Sequence, residues 1–429
     1  MKRLCLLAAC LLLGTIPEGL RAQLLSAEAD ARVGTLVSAG DYGTLAEELP
    51  ALRDSVSPPL RALADALAEY RRGRPAESNA ALERLAAYGE TFGPGLLRDM
   101  QQLAVYHCWT LGDYAGAERA LRLLSGADGD AAAPSVDGVM RWLSALDGRP
   151  APSVRRPEGE IILPVGFVPV GRGEHLVVEA DVNGRTEPFI FDTGCSYANF
   201  VSAAAAERMG LRILVDSIPV TGMSAGLARL GVADSMRIGP LTVLHPTFLV
   251  VDRLANGRDD LLEAVLGTDI IRALGEIRIE SARGRIVLPA VPSAAPEKPN
   301  LAFSAGRYYL TCTGDGDTLL LHFDTGNVKS TLSMRYFGRH ARKVRAEGRR
   351  SVSVQGGFGG VKSLKVFVLP EMTLDLPQRP VVLRDVDVSI REKGLASEQE
   401  DEDGSLGVDL LRAADAVTFD LGRMFLRTE

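Results

Sequence analysis

The sequence predicts a multidomain α + β protein: an N-terminal α-helical hairpin domain, then an all-β region of two lobes related by a pseudo-twofold axis. Three observations predict this. Apolar residues recur at helical spacing as far as about Asp147, the spacing changes to two beyond about Glu160, and the second region carries one order of motifs twice, offset by 132 (192 to 324). With 429 residues, 46% of them hydrophobic, the chain can fill several cores, which excludes wholesale disorder. A net charge of −7, from 48 basic and 55 acidic residues, argues against a nucleic-acid partner held by phosphate neutralisation.

The first 22 residues read as a signal peptide. Lys2 and Arg3 precede an apolar run from Leu4 to Leu13, and Leu20-Arg21-Ala22 offers a small residue for cleavage before Gln23. The run is too short to span a membrane. This predicts an exported protein, periplasmic or secreted. Leu7-Ala8-Ala9-Cys10 resembles a bacterial lipobox, so a lipid anchor at Cys10 is left open as an alternative. Cleavage leaves Cys108, Cys195 and Cys312, which allow at most one disulfide.

Residues 23–148 form the helical domain. Leu60, Leu63, Ala64, Leu67 and Tyr70 mark one apolar stripe, and Leu82, Leu85 and Ala86 another, separated at Gly73-Arg74-Pro75. Leu111-Gly112-Asp113-Tyr114, echoed by Gly40-Asp41-Tyr42, resembles the second-helix start of a tetratricopeptide-type hairpin. A helical scaffold and a groove for a partner protein or peptide are both consistent with this pattern. Residues 149–160, rich in Pro, read as a linker.

Residues 161–290 and 301–429 are the two lobes, joined by 291–300. Asn183-Gly184 and Asp315-Gly316 are hairpin signals at matched places. Phe191-Asp192-Thr193-Gly194 matches Phe323-Asp324-Thr325-Gly326. Leu266-Gly267-Thr268-Asp269 matches Leu406-Gly407-Val408-Asp409. Each copy ends in a strand, a tight turn at Arg283-Gly284 or Gly422, and another strand. A carboxylate after an apolar strand enters a partly dry place where ionisation is costly. Two such carboxylates brought together share one proton, so one can act as base on water while the other donates to a carbonyl oxygen. That chemistry calls for no metal and no cofactor.

At these residues the sequence resembles the aspartic proteases, specifically the retropepsin-like and pepsin-like families, over about 160 to 429. The resemblance implies catalytic roles for Asp192 and Asp324. It implies that the Thr193 and Thr325 hydroxyls bond across the lobes, that Gly194 and Gly326 complete the triplets, and that the Leu-Gly elements pack beneath the Asp loops. It also implies Gly-rich flaps over a peptide or protein substrate: Gly222, Met223 and Gly226 in the first lobe, and Gly356, Gly357 and Phe358 in the second. Both lobes lie in one chain, as in pepsin. The helical domain is foreign to both families, and no flap tyrosine of the pepsin kind is evident. The competing reading is a catalytically inactive protease-fold module that binds peptides, with the helices as a partner-binding surface. A further one is that the helices restrain the protease until processing.

Other patterns read as structural. Gly222-Met223-Ser224-Ala225-Gly226 fits a nucleophile elbow, but the following segment makes a poor helix, which that elbow requires. His107, His175, His245, His322 and His340 lack metal-ligand spacing and read as structural or exposed. Cys195 reads as a buried inert thiol, and Glu398 to Asp403 as a solvated loop.

Overall fold

A computed structural model describes residues 18–429 except 89–91, 93, 128–133, 197, 222–224, 255–261, 295, 297–298, 305, 358–359 and 391–401. Residues 1–17 of the expected signal peptide lie outside the described residues. The chain packs as two compact units, divided between His107 and Cys108 within the helix Pro94–Leu111. Among the described residues, no helix is long and apolar enough to cross a membrane.

The first unit contains the helices Glu18–Ser38, Tyr42–Leu52, Pro58–Arg71 and Pro75–Ala86. Proline opens the last two, where its fixed φ suits the first turn and its missing N–H costs nothing. Gly40, at φ +67°, ends the first helix, and the Asp41 carboxylate caps the next by accepting from Thr44 N at 3.0 Å. Val33, Leu36, Leu45, Leu49, Leu63, Leu67, Leu82 and Leu85 share one core. Each large apolar side chain buried there contributes about 1.5–3 kcal/mol. Ser78 Oγ donates to Ala66 O at 2.6 Å and lies 2.7 Å from His107 Nε2, so the ring nitrogen is the donor to Ser78. Burial pushes His107 down to about 4, which keeps the ring neutral.

The second unit opens with the helices Tyr114–Ala127 and Pro134–Leu146. Gly112, at φ +72°, and Asp113, whose carboxylate accepts from Gly116 N at 2.8 Å, repeat the stop-and-cap arrangement of Gly40 and Asp41. Gly138 rests against Pro219, and Arg141 Nη2 donates to Ser217 O at 3.0 Å. Both partners lie in the strand Arg212–Thr221.

Two sheets follow. In the first, neighbours run Gly173–Val182, Arg185–Phe191, Ala264–Leu266, Asn199–Ser202, Thr247–Val251, Ala225–Val232 and Arg212–Thr221. In the second they run Arg307–Gly314, Asp317–Phe323, Gly404–Leu406, Thr331–Leu332, Val381–Ser389, Gly360–Asp375 and Arg349–Gly357. The two orders correspond strand for strand. In both, the strand leading to the Asp-Thr-Gly triplet pairs in parallel with the short strand before the Leu-Gly element. Asn183 and Gly184 (φ 52° and 81°) and Asp315 and Gly316 (φ 55° and 80°) turn the two predicted hairpins with the positive φ pairs of a type I′ turn. The closing strands of the two copies pair with each other, Ile277 opposite Phe419.

Two sequence expectations are corrected. The region beyond residue 160 is not all-β. It includes the helix Met334–Glu347 and the shorter helices Ala203–Arg208, Thr268–Ala273 and Val408–Arg412. Ser333 Oγ caps the longest by accepting from Arg335 N and Tyr336 N, at 3.1 and 3.3 Å, and Tyr336 and Val344 anchor it in the core. Asp403 is not a solvated loop residue. It is 1% exposed, accepts from Leu320 N at 2.9 Å and pairs with Arg339 at 2.6 Å. Glu398 lies outside the described residues.

Candidate active site

Asp192 and Asp324 stand just beyond the strands Arg185–Phe191 and Asp317–Phe323. Each backbone N–H donates to a leucine carbonyl on the parallel neighbour: Asp192 to Leu266 at 3.1 Å, Asp324 to Leu406 at 3.0 Å. The chain then turns sharply, and the two turns meet. Thr193 N donates to Thr325 Oγ1 and Thr325 N to Thr193 Oγ1, both at 3.0 Å. The same hydroxyls donate onward, Thr193 to Phe323 O at 2.8 Å and Thr325 to Phe191 O at 2.6 Å. Both threonines are fully buried. The four bonds contribute about 1 kcal/mol each, and breaking one would strand buried partners.

This lock fixes the carboxyls. Asp192 Oδ1 accepts from Gly194 N and Cys195 N at 2.7 and 3.0 Å, and Asp324 Oδ1 from Gly326 N and Asn327 N at 3.0 and 3.1 Å. The two side chains hydrogen-bond to one another. A Cβ on Gly194 would enter the Asp324 carboxyl, and one on Gly326 would enter that of Asp192. Burial, and then the nearby charge of Asp324, push Asp192 well above the usual carboxylate range. The pair therefore retains a proton at pH values where separate carboxyls would lose theirs.

Beneath each turn lies the Leu-Gly element. Gly267 N donates to Asn199 Oδ1 at 2.9 Å, and Gly407 N to Ser330 Oγ at 3.0 Å. Thr268 N reaches Cys195 O, and Val408 N reaches Asn327 O, both at 2.9 Å. No side chain fits at either glycine, because a Cβ would run into the carbonyl of Ala198 or of Asn327. Asp269 is pushed up to about 6 by burial, and Asp409, held by Ser330 N and Oγ at 2.8 and 2.6 Å, is raised for the same reason.

The structure thus brings together Asp192, Thr193, Gly194, Asp324, Thr325 and Gly326. The expected flaps are hairpins: Arg212–Thr221 with Ala225–Val232, and Arg349–Gly357 with Gly360–Asp375. Gly226, Gly356 and Gly357 sit within their ladders, opposite Val220, Val361 and Gly360. Gly222, Met223 and Phe358 lie outside the described residues. A strand, not a helix, follows Ser224, which removes the nucleophile-elbow reading. Cys195 donates from Sγ to Ala198 O at 3.2 Å, and burial raises its thiol well above its ordinary value, so it is a poor nucleophile. Among the described residues, no group of three or more His, Cys, Asp and Glu could hold a metal ion.

Sequence reasoning missed two residues that shape this site and left two more without a role. Asn199 and Ser330 are the buried anchors of the two Leu-Gly elements. Asp269 and Asp409 were in view as part of the duplicated Leu-Gly-x-Asp, and that repetition was the available signal. His322, expected to be structural or exposed, lies 8% exposed with Nδ1 3.8 Å from Asp324 Oδ2.

Residues 178–270 match the family model described as aspartyl protease. The match contains the first triplet and the first Leu-Gly element, and ends before Asp324. It supports an aspartic protease family and, in general terms, a protease acting on a peptide or protein. No curated protein matches the chain.

Proposed function

We propose that this chain is an aspartic endopeptidase whose two lobes, related by a pseudo-twofold axis, each supply one acid to a shared catalytic pair. The observation that carries this reading is the reciprocal threonine lock, which aligns Asp192 and Asp324 side by side with a hydrogen bond between them. One carboxylate takes a proton from water as the water oxygen bonds to the peptide carbonyl carbon. The other gives its proton to the carbonyl oxygen. In the collapse of the resulting diol the C–N bond breaks, the first acid protonates the leaving amine, and a hydroxyl proton returns to the second. The two hairpins offer backbone groups to an extended substrate.

Asp192→Asn and Asp324→Asn should each reduce peptidase activity by at least about 100-fold with the circular-dichroism spectrum retained. Hydrolysis by the doubly substituted protein at the wild-type rate would refute the proposal. Export is part of the same reading, resting on Lys2, Arg3 and the run Leu4 to Leu13. N-terminal sequencing of the exported protein should begin at Gln23, and a chain retaining Met1 would refute that step.

A further inference from the structure

The two acids have unlike neighbours at one matched position. Residues two apart on a strand share a face, so residue 322 flanks Asp324 as residue 190 flanks Asp192. Position 190 is Ile, packed with Val177, Leu262 and Val265. Position 322 is His, buried, with Nδ1 3.8 Å from Asp324 Oδ2. Asp324 Oδ1 is already engaged by Gly326 N and Asn327 N, so Oδ2 is the oxygen that the imidazole meets. Among the described residues, His322 Nε2 is buried without a hydrogen-bond partner, so none of them ties up that side of the ring.

We propose that His322 is a positioning residue that, once protonated, polarises the pair: its cation draws the negative charge onto Asp324, which activates water, and leaves the shared proton on Asp192, which donates it to the substrate carbonyl. This inference rests on the peptidase reading and assigns the two acids unequal roles within it.

The groups facing the ring are Asp324, Glu402, Arg307 and Tyr309, whose ring centre is 5.7 Å away. His175, on the neighbouring strand Gly173–Val182, also lies in the field of Asp324. Burial, aided by Arg307, lowers the imidazole below its ordinary value, against the opposing pull of Asp324 and Glu402. The ring is therefore neutral near pH 7 and gains its charge only in acid. A cation forming there opposes the addition of a further proton to the pair. The acid limb of the pH profile is thereby carried to lower pH.

His322→Ile installs the residue of the first lobe. It should move the acid limb of kcat/KM upward by about one pH unit and leave the alkaline limb in place. His322→Gln keeps a polar group that cannot titrate, and should shift the limb in the same direction. A second measurement needs no turnover. Followed by NMR, the His322 ring should titrate at lower pH in Asp324→Asn than in the wild type, since the anion that favours its cation is gone. An acid limb unmoved in the folded variants, or a ring titration unchanged in Asp324→Asn, overturns the inference. If the wild type hydrolyses nothing at any pH, the peptidase reading falls, and the ring titration alone decides whether His322 and Asp324 are coupled.

Discussion

Asp192 and Asp324 leave matched strands, and both donate their backbone N–H to a leucine carbonyl on a parallel neighbour, yet the side chains bracing the two turns differ. In the first lobe the brace is Asn199, whose amide accepts from Gly267 N and donates to Thr247 O at 3.0 Å. In the second it is Ser330, whose hydroxyl accepts from Gly407 N and donates to Asp409 at 2.6 Å. Of the residues flanking the acids, Ile190 in the first lobe corresponds to His322 in the second. What repeats is main-chain geometry together with the residues that touch it without slack, Thr and Gly. What varies is any side chain whose task, such as offering one acceptor, several residue types can perform.

The sharpest way to break the comparison is at the glycines. Gly194→Ala and Gly326→Ala each drive a methyl group into the opposite carboxyl, so both should cost at least about 100-fold in kcat/KM, to similar extents. Tolerance in one lobe alone would mean that the two turns are not equivalent. Thr193→Val and Thr325→Val each leave a backbone N–H and a phenylalanine carbonyl without a partner. Each should lower stability by about 2–4 kcal/mol in denaturant titration, again near parity.

The smallest effect concerns the acids below the turns. Asp269 should titrate at about 6 in an NMR experiment. Its folded-state value is raised, so its contribution to stability is present below the ordinary carboxylate value of 3.8 and fades as pH rises through about 6. A value near 3.8 would show that burial does not govern this acid, and would separate it from Asp409.

The duplicated plan was legible because its signals are local. The pairs Asn183-Gly184 and Asp315-Gly316 demand positive φ, and each Asp-Thr-Gly follows an apolar strand. The helix Met334–Glu347 escaped because it buries few of its residues, with Tyr336 and Val344 deepest, while Arg335, Arg339, Arg342, Lys343 and Arg345 mask its period. Asn199, Ser330 and Asp403 escaped for another reason. Each bonds to residues 60 or more positions away, such as Asn199 to Gly267, and a contact of that kind leaves no period in the chain.

The seat of Gly138 on Pro219 bears on how the first hairpin can bend. The pairing of Arg212–Thr221 with Ala225–Val232 slips register between Ile213 and Ile218, and there Ser217, at φ +61°, turns its carbonyl to Arg141. The helix Pro134–Leu146 thus grips the hairpin at its irregular shoulder, through Ser217 and Pro219. Any side chain at position 138 would act as a wedge between the helix and that shoulder.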